Sequence, residues 1–297
     1  MTLKTNIYKA FKSVTLPLYG SGIGSRWPLK QLYRIISISF TPNFEEVVKI
    51  NECKMIVRTQ RGKEAAGSGK LLLGKKYDAL QTELFKQTLK PGMNVIDVGA
   101  NIGYYTLLAA KLVGIGRVWS IEPEPQNFND LTRNVALNGF LNVTALNVAV
   151  GDRKGYTPLY VSAISAGTHS TVCTSNSSKT TISVEIRPLD DIIPRGTGID
   201  LVKTDTEGGD FAVLRGAKRL ISDNPKIVWV LEVWPEGLKQ VNESIYSLLH
   251  LAKSHGFCSA TMLNEWNGMS VSIDLESPIA LEKYLHKYSS CNVVLRR

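Results

Sequence analysis

The chain has 297 residues, 43% of them apolar, 21% charged and 8% aromatic, enough to bury a full core in one large domain with an extension, and incompatible with wholesale disorder. Its formal charge of +9 is uneven: residues 1–75 hold thirteen Lys or Arg against four Asp or Glu, so the remainder is neutral. The larger part therefore carries no nucleic-acid signature.

From the N-terminus, Leu3, Ile7, Phe11, Val14 and Leu18 recur at helical spacing among Lys4, Lys9 and Lys12. This predicts a basic amphipathic helix that Pro17 ends. After a Gly-rich stretch, Pro28 opens a second short helix through Leu32, Tyr33 and Ile36. Such helices pack on their own domain or on a second subunit, as in a homodimer. A basic amphipathic helix also suits an anionic membrane surface. Residues 46–59 alternate and are β-branched, as in a strand or hairpin, and RGKEAAGSGK reads as a flexible connection. Residues 1–75 are thus expected to form a basic extension, and residues 76–297 the main domain.

A helix is predicted over 79–89, closed by Pro91-Gly92. Strand patterns follow at 94–98, 117–121, 143–149, 199–204, 226–232, 257–262 and 291–295. Helical patterns separate most of them, at 103–112, 125–138, 209–221, 238–255 and 278–287. Such alternation implies an α/β fold: a seven-stranded, mostly parallel, doubly wound sheet. Asn127 and Asp130 on the second of these helices are expected in solvent. Residues 155–187 break the alternation with two strand-like pieces around a Ser/Thr-rich middle. An insertion between central strands can line the crevice at the strand C-termini. Cys53, Cys173, Cys258 and Cys291 form no Cys-x-x-Cys pair and read as reduced thiols. With no apolar run near ~18–20 residues and no signal-like N-terminus, a cytoplasmic protein is expected, peripheral to the membrane if its basic helix docks there.

The stretch VIDVGANIGYYT runs from an apolar strand through an acid, Asp97, into a Gly-rich turn and a helix. A dinucleotide fingerprint needs Gly-x-Gly-x-x-Gly, but Asn101 stands where the second glycine belongs. No Gly-Lys-Ser/Thr follows, which excludes a P-loop. What remains is Asp97, the turn, and a second acid, Glu122, ending the next strand. An acid there can accept both hydroxyls of a ribose, and a helix N-terminus suits a carboxylate. S-adenosylmethionine carries both groups.

VIDVGANIGYYT, IEPEPQNFNDLTRNVALNG, NVAVGD and IDLVKTDTEGGDFAVLRGA, in that order, resemble the FkbM family of S-adenosylmethionine-dependent methyltransferases. The resemblance covers roughly residues 70–297 and implies the class I methyltransferase Rossmann-like fold, with the strand ending at Asp205 beside the one ending at Asp97. It further implies that Asp97, Gly99, Asn101 and Gly103 wrap the amino acid part of the cofactor, that Glu122 binds the ribose, and that Ala149 and Val150 flank the adenine. Where the family commonly shows Tyr-Glu upstream, this chain has Tyr77-Asp78, which makes Asp78 a further cofactor candidate one methylene shorter. Asp205-Thr206-Glu207-Gly208 replaces the usual Asp-Val-Glu-Gly and keeps both acids. Family members are typically O-methyltransferases of sugar or natural-product hydroxyls.

A hydroxyl acceptor benefits from a base. Asp205, or His169 from the polar insertion, is the expected one, with Glu232 at the next strand tip and Glu207 two residues beyond Asp205 at the mouth of the following helix. Asp205 and Glu232 suit a divalent ion, but no third ligand is evident, so a metal is not favoured. The expected acceptor is a sugar or small-molecule hydroxyl, with N-methylation, or a non-catalytic docking protein that keeps the fold, as the alternatives.

Overall fold

The computed structural model describes residues 3–20, 41–59, 70–73, 77–162, 169–173 and 180–297. The chain divides into two compact units, Met1–Tyr77 with Ser162–Thr168, and Asp78–Val161 with His169–Arg297.

In the first unit, the helix Leu3–Gly20 runs through Pro17 instead of stopping there. The missing N–H falls in the last turn, so little helix remains beyond it to be broken. The buried side also differs from the predicted stripe. Tyr8 and Lys12, one turn apart, are 2% and 3% exposed, whereas Ile7 and Val14 are 54% and 65% exposed. Partners decide the orientation. The Tyr8 ring meets Phe44 edge-on at 6.1 Å, Lys12 lies 5.7 Å over the Tyr8 ring, and Lys9 Nζ pairs with Glu46 at 2.6 Å. Phe44 and Glu46 belong to β1 (Phe44–Ile50), which forms the expected antiparallel hairpin with β2 (Cys53–Thr59). Asn51 and Glu52 between them take φ of 49° and 64°, the two-residue turn that matches strand twist. The helix expected beyond Pro28, and RGKEAAGSGK apart from its final Lys70, lie outside the described residues.

The second unit is built on β3 (Val95–Val98), β4 (Val118–Ile121) and β5 (Val143–Leu146), followed by β6 (Ala149–Val150), β7 (Gly155–Tyr160) and β8 (Thr181–Arg187). The predicted strand 143–149 therefore ends at Leu146, and Ala149–Val150 joins a separate three-stranded sheet of order β6-β8-β7. β7 and β8 are the two strand-like pieces of the insertion. Then come β9 (Leu201–Thr204), β10 (Val228–Val233), β11 (Ser259–Asn264), β12 (Met269–Ile273) and β13 (Cys291–Arg296).

The main sheet has eight strands, not seven, in the order β12-β11-β13-β10-β9-β3-β4-β5. The seven expected strands are all present. The addition is β12, an edge strand largely exposed and hairpinned to β11, which lacks the apolar run of a buried strand. β10, β9, β3, β4 and β5 run parallel, and β13 is antiparallel between β10 and β11. β3 and β9 are buried along their whole length, as central strands covered on both faces must be. Ile96, Val202, Trp229 and Leu231 of the sheet share one apolar core with Leu214, Leu248 and Phe257.

Two predicted helices are interrupted. A Cβ on Gly216 would stand 2.0 Å from the Gly151 carbonyl oxygen. At this backbone-to-backbone approach, 209–221 breaks into Asp210–Arg215 and Lys218–Asp223. Likewise 238–255 becomes Pro235–Gln240 and Ile245–Ser254. Asn242, at φ 58°, leaves the first helix, and Ser244 starts the second through a reciprocal cap with Ser247. None of the four cysteines, all among the described residues, forms a disulfide.

Candidate cofactor and active site

The turn after β3 is held from several sides. The N–H groups of Gly99 and Ala100 donate to the Ile121 carbonyl at 2.9 and 3.1 Å, tying the turn to β4. Gly99 has φ 71°, and a Cβ there would sit 1.9 Å from the Asp205 carbonyl oxygen. Only glycine lets the turn lie this close to the tip of β9. Asn101, at φ 51°, donates its N–H to Glu122 Oε2 at 2.8 Å and accepts from Ile102 N at 2.8 Å through its side chain. Gly103 precedes the helix Tyr104–Val113, which no side chain caps. Asn134 Nδ2 donates to the Ile102 carbonyl at 2.8 Å and braces the turn from the helix Pro125–Leu137. Asn127 and Asp130, expected in solvent, are buried on this same helix.

The two acids at the strand ends are both buried. The Thr106 hydroxyl donates to Asp97 Oδ2 at 2.7 Å, while Asp97 Oδ1 is buried with no hydrogen-bond partner. Glu122 accepts from Asn101 N at Oε2 and from Glu124 N at Oε1, the latter at 3.0 Å. Burial outweighs these N–H bonds and raises its carboxyl to about 7.

Sequence reasoning missed Lys203, on β9. It is 3% exposed, beside Asp97 at 1%. Its Nζ lies 3.5 Å from Asp97 Oδ1 and 3.4 Å from Asp205 Oδ2, and donates to the Gly99 carbonyl at 3.4 Å. Burial alone would lower its pKa, but Asp205 and Asp97 outweigh that and hold it above the usual lysine value. The signal was a lone charge inside an apolar strand, two residues before Asp205 and hence on the same face.

The expected catalytic acids come together at one place. Asp205 is about a third exposed, its side chain at 32%. Glu207, in the positive-φ region at 53°, is raised to about 8 by burial and then by Asp205 and Asp210. Glu232 stands well above the ordinary carboxylate range, through burial first and then Glu207, Asp205 and Asp210. Its Oε2 is buried with no hydrogen-bond partner. Asp210 accepts from both the N–H and the hydroxyl of Thr206, at 3.2 and 2.8 Å. The Ser170 hydroxyl donates to the Glu207 carbonyl at 2.6 Å, so the segment carrying His169 packs on this loop.

Ala149 and Val150 are buried in β6, paired with Ile186 and Arg187 of β8. Asp78 sits at the N-cap of the helix Ala79–Thr88 at φ 38°, but its side chain does not cap. Instead Glu265, 185 positions away, accepts from Leu80 N and Gln81 N, both at 3.0 Å. Tyr104 and Tyr105 are buried in packing: Tyr104 OH is 3.0 Å from the Thr82 hydroxyl, and the Tyr105 ring lies 4.8 Å from Phe85. Among the described residues, no group of three or more His, Cys, Asp or Glu is arranged to hold a metal.

β9 lies beside β3, β13 enters antiparallel between β10 and β11, and a glycine turn and two buried acids close β3 and β4. Together these define a class I, S-adenosylmethionine-dependent methyltransferase. The residues fit that cofactor. Each Glu122 oxygen accepts one N–H and keeps a lone pair for a ribose hydroxyl, and the helix N-terminus is free of a side-chain cap. The chain belongs to the methyltransferase FkbM domain family, whose model matches residues 97–257. It is 27% identical to the methyltransferase sdnD of Sordaria araneosa over 183 residues, 51% of this chain and 70% of that protein. A shorter match, 39% identical over 83 residues, joins 26% of this chain to 36% of protein-L-isoaspartate O-methyltransferase 1 of Arabidopsis thaliana. Among solved structures, a TehB-like SAM-dependent methyltransferase from Corynebacterium glutamicum aligns with a TM-score of 0.44 at 10% identity, over 78% of this chain and 94% of that one.

Proposed function

We propose that the protein is an O-methyltransferase whose acceptor is a sugar hydroxyl of a glycan, glycolipid or glycosylated metabolite. The observation that carries the O-methylation is the acid cluster at the tips of β9 and β10. Glu207, at about 8, is matched to taking a hydroxyl proton near neutral pH. Asp205, preferred from sequence along with His169, is already engaged by the Lys203 ammonium at 3.4 Å.

When bound, the cofactor supplies a methyl group on a sulfonium. Asp97, Gly99, Asn101 and Gly103 would hold its amino acid part, Glu122 its ribose, and Ala149 and Val150 its adenine, with Asp78 a further candidate contact. Glu207 would take the proton of the acceptor hydroxyl, whose oxygen would receive the methyl group that the bound cofactor supplies. The remaining work is positioning and exclusion of water. Burial and the neighbouring carboxylates push Glu232 toward its protonated form, which suits it to donate a hydrogen bond to a second acceptor oxygen. This reading needs no metal. The sugar acceptor rests on the family's habit.

The test is S-adenosylhomocysteine release with glycosylated acceptors and with matched amines. Hydroxyl methylation is expected, and Glu207→Gln should lower turnover ~10²–10⁴-fold at neutral pH. Methylation of amines alone would favour N-methylation and overturn the assignment.

A further inference from the structure

We infer that Lys203 is the positioning residue of the cofactor site: its ammonium, held between Asp97, Asp205 and the Gly99 carbonyl, locks the glycine turn onto the tip of β9. The inference rests on the cofactor reading, not on the acceptor.

Three observations converge. The turn approaches β9 so closely that Gly99 has no room for a Cβ beside the Asp205 carbonyl. At that seam the two strands present like charges, Asp97 and Asp205, which repel unless a cation lies between them. Lys203 is that cation, 3.5 Å from one and 3.4 Å from the other. The Tyr105 ring from the following helix lies 5.3 Å from its Nζ. A point charge with three rotatable donors suits three oxygens on different elements better than a flat guanidinium. Pairing with the ammonium is also what compensates Asp97 for so buried a place.

The same ammonium acts at longer range. Asp210, at the start of its helix, also faces it, and its field holds the carboxyls of Glu122 and Glu207 lower than burial alone would put them. Glu122 is otherwise faced by the Glu124 carboxylate and by the N–H groups of Asn101 and Glu124. Removing the ammonium lets the Glu122 carboxyl rise further. Binding that needs Glu122 ionised then begins at a higher pH.

The experiment is calorimetric titration with S-adenosylhomocysteine from about pH 6 to 9, after thermal melts of each protein. The proteins are wild type, K203M, D97N and the D97N/K203M double variant. Lys203→Met is expected to weaken binding at least about tenfold at neutral pH, because it strands a buried carboxylate, and to move the midpoint of the pH dependence upward. Relative to D97N the double variant should lose less binding than K203M loses relative to wild type, since one of the two charges that Lys203 serves is gone. It also carries the test if K203M fails to fold. Wild-type affinity with an unmoved midpoint in K203M, or losses that simply add in the double variant, would overturn the role. A folded wild type that binds no S-adenosylhomocysteine would overturn the cofactor reading itself, and Lys203's role with it.

Discussion

A carboxyl raised to about 7, such as that of Glu122, is half protonated in neutral buffer. The ionised form accepts ribose hydroxyls at both oxygens, so cofactor affinity should rise as pH increases through about 7 and level off above it. Isothermal titration of S-adenosylhomocysteine at several pH values reads this directly, and Glu122→Gln should flatten the curve as it weakens binding. Folding stability has the opposite sign. A carboxyl whose folded pKa exceeds its unfolded one stabilises the fold fully below the unfolded value of 4.5, and that contribution is lost as pH rises through about 7. The free protein should therefore be less stable at pH 8 than at pH 6 as far as Glu122 is concerned. Sequence displayed Glu122, Asp97 and the acids of DTEG because each ends an apolar strand. It displayed Lys203 as well, inside VKTD, but a single charge in a strand reads as an edge position until its two carboxylate partners are seen across the seam.

Elements were legible where pattern is local. The β1–β2 hairpin, the parallel strands and the helix Ala79–Thr88 all follow from spacing and turn residues. They were illegible where a distant residue decides. The break at Gly216 comes with the approach of the Gly151 backbone, 65 positions earlier in the chain, and no helical periodicity records it. The N-terminus of Ala79–Thr88 is another case. Its nearest candidate cap, Asp78, is not used, and the Glu265 carboxylate accepts the N–H groups of Leu80 and Gln81. Glu265→Ala should cost about 1–2 kcal/mol of stability, the value of a lost cap, measured by denaturant unfolding. Asp78→Ala should cost far less. Equal losses in the two variants would contradict the assignment of the cap.

Charge is segregated across the whole chain, with the basic excess in residues 1–75 and a neutral remainder. No described helix is long and apolar enough to cross a membrane. The basic segment does expose Ile7 and Val14, the apolar positions expected to pack inward. Peripheral docking on anionic membrane is therefore the reading to test for this segment. In flotation with anionic vesicles, the wild type should rise with the lipid at low salt, and Ile7→Asp/Val14→Asp should stay behind. Equal behaviour of the two would end the docking idea. Sequence found the helix but turned it the wrong way, because Tyr8 and Lys12 are drawn inward by Phe44 and a ring face that periodicity cannot anticipate.

The sheet also imposes a timetable. β13 is the last strand of the sheet in the chain, yet it lies between β10 and β11 and bonds to both. On a ribosome, β3, β4, β5, β9 and β10 emerge in an order that lets them pair as they appear. The β11–β12 hairpin emerges next with nowhere to join, and must wait for a strand not yet made. Until then the outer edge of β10 stays open to any stray strand. The nascent protein is thus most exposed to misassembly in the interval between translating Ile273 and Arg296, at the synthesis of its last stretch of sheet.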